Sequence, residues 1–252
     1  MTDAPDLRPP ETVARNAPSS APPSGLLHVD AWIFDLDNTL YPASCNLFAQ
    51  IDVRMRQFIA DALGLPLDDA FTLQKRYYRE YGTTLRGLMD AHGVEPERFL
   101  SYVHDIDYSP LAPAPALDRA LGALAGRKLI FTNGSTRHAQ SVVNRLGIAG
   151  HFDGIFDIRA AGYIPKPNME SYRLMIERFG LTANRCAMFE DIARNLAPAA
   201  GAGMTTVWVR EVGVNRWAGQ DSADLSHVHH VTDDLAGWLT AVVAARKGSA
   251  AS

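Results

Sequence analysis

The sequence predicts an α/β protein: a parallel β-sheet with helices on both faces, and a helical domain inserted after the first strand. Three observations lead there. Short apolar runs recur along the chain, and several end in acidic or hydroxyl residues, as buried parallel strands do. Helical spacing fills the stretches between them. One long stretch, residues 42–118, keeps helical spacing with no strand signal.

Taken in order, residues 1–25 hold six of the chain's 15 prolines and show no hydrophobic period, so they read as a disordered tail. The tail lacks a basic start followed by an apolar block and is not a signal peptide. The run Val29 to Leu36 (VDAWIFDL) reads as a buried strand whose functional end is Asp35. Beyond it, Leu47, Ile51, Met55, Phe58 and Ala62 share a helical face, with Ser44 as its cap. Residues 68–81, 83–92 and 95–104 read as further helices, and the Pro-rich Ser109–Pro115 as the return hinge. Lys128–Thr132 is a second strand. Ser141, Val142 and Leu146 mark a helix stopped by Gly147. Tyr172, Met175, Ile176 and Phe179 mark another, stopped by Gly180. Cys186–Phe189 and Thr205–Val209 complete the strands. His227, His229 and His230 read as a strand with two exposed histidines before a C-terminal helix, in preference to a metal tract. The expected division is a catalytic core of residues 26–41 and 119–246, a helical cap of 42–118, and a frayed end from Lys247 to Ser252.

Among 252 residues, 24 Lys and Arg against 28 Asp and Glu give a net charge of −4, which excludes a nucleic-acid binder working through a broad basic surface. A locally positive pocket for a small anionic substrate remains compatible with that balance. No apolar run reaches the roughly 18 residues of a membrane span. Cys45 and Cys186 are too few for a disulfide scaffold, and Cys186, inside an apolar strand, reads as an inert core residue. The expected setting is cytoplasmic, with free thiols and no membrane or nucleic-acid partner.

Four polar clusters carry chemistry. In Asp35-Leu36-Asp37-Asn38-Thr39-Leu40, two carboxylates lie two residues apart just past a strand. One can be a nucleophile, already ionised near neutral pH, and the other a proton donor to the leaving group. The same residue types also favour turns and helix caps. Phe131-Thr132-Asn133-Gly134-Ser135 places a hydroxyl, an amide and a Gly backbone at a helix N-terminus, which suits a bound anion. Pro165-Lys166-Pro167 fixes one of only four lysines between two restricted residues, as a point charge for a phosphoryl group. In Phe189-Glu190-Asp191-Ile192-Ala193-Arg194-Asn195, adjacent acids could join Asp35 in holding a hard cation; oxygen-only ligands indicate Mg²⁺. All four clusters sit at strand C-termini or between them, where open α/β sheets bind ligands.

The ordered words DLDNTL, TNG, PKP and FEDIARN resemble the haloacid dehalogenase superfamily of phosphohydrolases, over roughly residues 30–235. The resemblance implies a Rossmann-like core with an inserted cap, and Mg²⁺-dependent phosphomonoester hydrolysis through an aspartyl phosphate. It implies Asp35 as nucleophile, and Asp37 as general acid and base whose backbone carbonyl binds Mg²⁺. Thr132 would hold the phosphate with Asn133 and Gly134, and Lys166 would neutralise charge. Asp191 would be the last Mg²⁺ ligand, Glu190 a ligand through water or a supporting acid, and Asn195 an orienting residue. A hydrolytic dehalogenase of the same superfamily is the alternative that Asp37 and Asp191 argue against. A non-catalytic phosphate-binding protein would be expected to lack the nucleophile or the lysine.

The words DLDNTLYP and YYREYGTTLRGL (77–88) further resemble the pyrimidine 5′-nucleotidase branch. The substrate would then be a pyrimidine nucleoside 5′-monophosphate, selected by Tyr77, Tyr81, Thr84 and Arg86. Aromatic faces can stack on a base and Arg86 can reach an anion. Leu73, Tyr77 and Tyr81 equally fit a packed helical stripe. Another small phosphorylated metabolite, such as phosphoglycolate or a sugar phosphate, is the alternative substrate.

Overall fold

The computed structural model describes residues 26–210 and 224–250. The predicted tail, residues 1–25, lies outside the described residues. Within them, β1 (Ala31–Phe34), β2 (Arg127–Phe131), β3 (Gly154–Phe156), β4 (Cys186–Glu190), β5 (Thr205–Val209) and β6 (His230–Thr232) form one sheet of order β3-β2-β1-β4-β5-β6. Every neighbouring pair is parallel. β1 is therefore central, and the chain leaves it toward β2 on one side and β4 on the other. That reversal opens a crevice at the strand C-termini.

Side-chain alternation along β1 builds two cores. Trp32 and Phe34 face α5 (Pro115–Ala123), α6 (Thr136–Leu146) and α9 (Leu235–Ala250), packing with Leu121, Val142 and Leu239. Ala31 and Ile33 face α7 (Met169–Phe179) and α8 (Leu196–Gly201), packing with Tyr172, Met175 and Leu196. Cys186 lies in this second core, and burial raises its thiol to about 11, so it is protonated and inert as expected. Gly147 and Gly180 stop α6 and α7 in left-handed conformations, as the sequence indicates.

Between β1 and α5 stand α1 (Leu47–Leu63), α2 (Leu67–Tyr81), α3 (Thr84–His92) and α4 (Pro96–Val103). They bury an apolar cluster of their own, including Ile51, Phe58, Ile59, Leu85, Leu88 and Phe99, joined from the sheet side by Ile158. Arg159 clasps this unit to the core. Its guanidinium donates to both carboxylate oxygens of Glu97 at 2.6 Å, and the Tyr163 hydroxyl adds a 2.9 Å bond.

Four local readings change. Asn46 in a left-handed conformation, not Ser44, precedes α1, because a 3₁₀ turn at Ala43–Cys45 takes up Ser44. α5 begins inside the span assigned to the cap, and its Leu117, Ala120 and Leu121 pack on the sheet. α9 continues through Lys247 to Ala250 where fraying is expected. Of the three histidines, only His230 is in β6; His229 Nδ1 binds Thr206, and His227 Nε2 binds the Ala193 carbonyl. No described helix is long and apolar enough to cross a membrane.

Candidate active site

The C-terminal ends of β1, β2 and β4 deliver Asp35, Thr132 and the Glu190-Asp191 pair to one point, because Phe34 is in register with both Ile130 and Phe189. A cavity of about 150 Å³ opens above them. Its floor holds Asp35, Asp37, Thr132, Asn133, Gly134, Lys166, Glu190 and Asp191. Its walls come from the inserted helices, among them Phe48, Asp52, Met55, Gln74, Lys75, Tyr78, Thr84 and Phe99.

Lys166 is the centre of the floor. Its buried ammonium donates to Asp35 Oδ1 at 2.7 Å, Glu190 Oε2 at 2.6 Å and the Phe131 carbonyl at 3.0 Å. Burial alone would lower its pKa, but the Asp35 and Glu190 charges raise it instead. Asp35 is also held at Oδ2 by the Thr39 hydroxyl at 3.0 Å. Burial, reinforced by the Glu190 charge and opposed by Lys166, pushes its carboxyl up to about 7. The other Glu190 oxygen accepts from Asn195 Nδ2 at 3.0 Å, so Asn195 is bonded to the acid it was expected to orient.

Thr132 Oγ1 accepts the Gly134 N–H at 2.9 Å, so its own proton is the one left to donate upward. Asn133 is on the floor, but its amide clamps the Lys166 backbone: Oδ1 accepts from Lys166 N at 2.8 Å and Nδ2 donates to Lys166 O at 3.3 Å. The Asn133 amide thus braces the lysine and the Gly134 N–H braces the threonine, while the second Nδ2 proton of Asn133 takes no part in these bonds.

Asp37 stands at the edge of the floor. Its Oδ1 accepts from the Tyr41 hydroxyl at 2.5 Å and sits 2.7 Å from His138 Nε2. Burial would raise its carboxyl, but the His138 charge and the hydrogen bonds of His138 and Tyr41 hold it below the usual range. Tyr41 and His138 were not singled out from sequence, although Tyr41 lies only four residues after Asp37.

The cap assignments fare differently. Thr84 lines the cavity, but Tyr77, Tyr81 and Arg86 do not. α2 turns Gln74, Lys75 and Tyr78 toward the cavity, the 74/78 and 75/78 spacing of one helical face. Tyr77 therefore points into the helical cluster. Its ring covers Gly87 so closely that a Cβ there would stand 2.4 Å away, and its hydroxyl meets His92 at 2.7 Å. Tyr81 packs edge-on against Tyr77, and Arg86 pairs with Asp90 at 2.9 Å; both line a second opening, beside Pro165 and Pro167. The packed-stripe reading holds for Tyr77.

The donor set fits a hard cation. Oxygens of Asp35, Glu190 and Asp191 lie within 4.8 Å of one another, all buried. Against these three carboxylates the floor has one ammonium, a formal surplus of 3 − 1 = 2 negative charges that a divalent ion would balance. A cation requires the Asp35 carboxylate, and without one that carboxyl titrates near 7. Binding must therefore release a proton below that pH. Apparent Mg²⁺ affinity is expected to hold above pH 7 and fall as pH drops through it, by up to about tenfold per unit. Thermal-shift titrations with MgCl₂ at pH 8, 7 and 6 measure this. A flat affinity would place the ion away from Asp35.

A profile of the haloacid dehalogenase-like hydrolases matches residues 29–203. The chain is 30% identical over 191 residues to phosphate metabolism protein 8 of Saccharomyces cerevisiae, covering 69% of this chain and 59% of that protein. It is 35% identical over 103 residues to enolase-phosphatase E1 of Frankia alni, covering 40% of this chain and 42% of that one. The matches thus span less than two thirds of both relatives. Among solved structures, the fold is similar to that of an L-2-haloacid dehalogenase from Xanthobacter autotrophicus. The TM-score is 0.52 at 17% identity, covering 87% of this chain and 99% of the other.

Proposed function

The chain belongs to the haloacid dehalogenase-like hydrolases, and from that premise we propose that it is a divalent-metal-dependent phosphomonoesterase. The observation that carries this reading is the floor of the cavity: three buried carboxylates around one lysine, with a second acid, Asp37, beside the first. Attack on a carbon–halogen bond requires no such surplus of negative charge. A phosphoryl group brought down with a cation does. The enolase-phosphatase relative supports the same class.

The residues divide the work as follows. Asp35 attacks phosphorus while the ester P–O bond breaks, giving an aspartyl phosphate. Asp37, held ionised in the free protein, takes up a proton as the phosphate ester arrives and gives it to the departing alkoxide. It then takes one from the water that attacks the phosphoenzyme, so that inorganic phosphate leaves and the Asp35 carboxylate returns. Lys166 and Thr39 fix the two oxygens of Asp35, and Thr132 offers its proton to a phosphoryl oxygen. Mg²⁺ held by Asp35 and Asp191, with the Asp37 carbonyl, would neutralise phosphoryl charge when bound.

For the substrate, pyrimidine nucleoside 5′-monophosphates are the first choice. Tyr78 and Phe48 bring aromatic faces to the walls, and Gln74 with the Lys75–Asp52 pair, 2.6 Å apart, brings donors and acceptors for a polar base. A second reading, a phosphorylated acid or sugar of few carbons, is favoured by the cavity volume. About 150 Å³ is below the roughly 300–1,000 Å³ of common ligand pockets, so a nucleotide requires the inserted helices to part. Phosphate release from UMP, AMP, phosphoglycolate and p-nitrophenyl phosphate, with and without EDTA, tests both. UMP is expected to lead. Tyr78→Ala is expected to lower UMP turnover by about 1–3 kcal/mol and to spare p-nitrophenyl phosphate, whereas Arg86→Ala changes neither. Phosphoglycolate in the lead gives the second reading. EDTA-resistant turnover removes the metal.

A further inference from the structure

We propose that His138 is the positioning residue of Asp37: it holds one carboxylate oxygen so that the other meets the leaving group. The inference rests on the phosphomonoesterase reading.

His138 lies in the first turn of α6 and is fully buried. Both ring nitrogens are engaged. Nε2 is 2.7 Å from Asp37 Oδ1, and Nδ1 is 3.0 Å from the Tyr108 hydroxyl, which also reaches the His104 carbonyl at 3.2 Å. The ring lies flat on His104, with centroids 4.5 Å apart and planes 8° apart. His104 is in turn tied by Nδ1 to Ser135 Oγ at 2.9 Å, the hydroxyl that caps α6 at the His138 N–H. A ring held at both nitrogens and across one face has a single orientation.

That orientation is directed at the reacting acid. His138 and Tyr41 both engage Oδ1, and among the described residues no hydrogen bond holds Oδ2. Asp37 lines the cavity, so Oδ2 is the oxygen presented to substrate. In ester cleavage the Oδ2–H bond breaks as the alkoxide gains its proton, and the resulting carboxylate remains solvated at Oδ1. Without His138 the carboxyl can rotate about its own bond. A displacement of about 1 Å at such a group can cost on the order of 100-fold. A histidine buried only for packing would be satisfied by Tyr108 and would not spend its second nitrogen on an acid at the cavity edge.

The readout is leaving-group dependence, because an alkoxide needs the proton and p-nitrophenolate hardly does. In His138→Leu, kcat/KM for UMP is expected to fall about 100-fold, with p-nitrophenyl phosphate changed by less than about threefold. His138→Gln, whose amide N–H can stand near the place of Nε2, is expected to restore most of the loss. Equal loss on both esters, unrelieved by Gln, would mean a structural role only and overturns the inference. A ¹H–¹⁵N spectrum of the wild type checks the bond without turnover: a protected Nε2–H on His138 is expected, and its absence overturns the inference. If wild type hydrolyses neither ester, the phosphatase reading falls and this inference with it.

Discussion

Asp35→Asn is expected to abolish turnover while leaving the protein folded and able to bind substrate. The substitution keeps the size of the side chain and removes the charge that attacks phosphorus. Nucleophilic catalysis through Asp35 requires a loss of at least about 100-fold, equivalent to roughly 3 kcal/mol of barrier, and the expected loss is larger. The fold should not suffer. Lys166 keeps Glu190 and the Phe131 carbonyl as partners, and one of three crowded carboxylates disappears. Single-turnover assays with a labelled phosphate ester measure the rate and show whether label stays on the protein. A variant that retained more than about one hundredth of the wild-type rate would end the covalent mechanism.

Lys166→Met attacks the same floor from the opposite side, and here stability should fall with activity. Removing the ammonium leaves Asp35 and Glu190 buried against each other with no counter-charge in contact. Breaking a buried pair in this way costs about 3–5 kcal/mol, which is about 6–20 °C of Tm for a chain of this size. The loss has a direction in pH. Asp35 already titrates at about 7 in the folded state, well above an ordinary aspartate, so the native protein binds the extra proton and stability declines as pH rises through that window. Without Lys166 the carboxyl moves further up. Melting in EDTA should therefore show the variant closest to wild type at low pH and furthest from it at alkaline pH. A deficit that is the same at pH 5.5 and 8.5 would mean that lost packing of the lysine stem, not uncompensated charge, is the cause.

Much of the fold was legible because buried parallel strands write themselves as unbroken apolar runs. β1, β2, β4 and β5 each did so, and the glycines after α6 and α7 marked two stops. β3 was not legible. It has three residues, one of them Gly154, where a Cβ would stand 2.6 Å from the Phe179 ring. Nothing in Gly-Ile-Phe distinguishes such a strand from a loop. The floor of the site was legible for a related reason: each functional residue follows an apolar strand or sits between prolines, so residue order alone placed them together.

The walls were not legible, because helical spacing fixes which residues share a face and not which way that face turns. Tyr77 and Tyr78 are adjacent, yet one is packed on Gly87 and the other looks into the cavity. The choice is made by α3 packing against α2 through a glycine. His104 and His138 were missed for a different reason. They come from segments 34 residues apart that meet only when α4 ends above the start of α6. Burial lowers His104 to about 3, so it is a neutral stacking partner at any ordinary pH.

The separate apolar cluster of α1–α4 has a consequence for how such a protein can change. The helices hold Phe58, Leu88 and Phe99 among themselves and meet the sheet side through few residues, Ile158 and the Arg159–Glu97 clasp among them. The floor, by contrast, is threaded through both sheet cores, where Phe131, Phe189 and Tyr172 leave no room for drift. On the proposed reading, selection and chemistry lie in different stretches of one chain. Exchanging α1–α4 for those of a homologue is then expected to leave the reaction in place and to transfer the donor's preference.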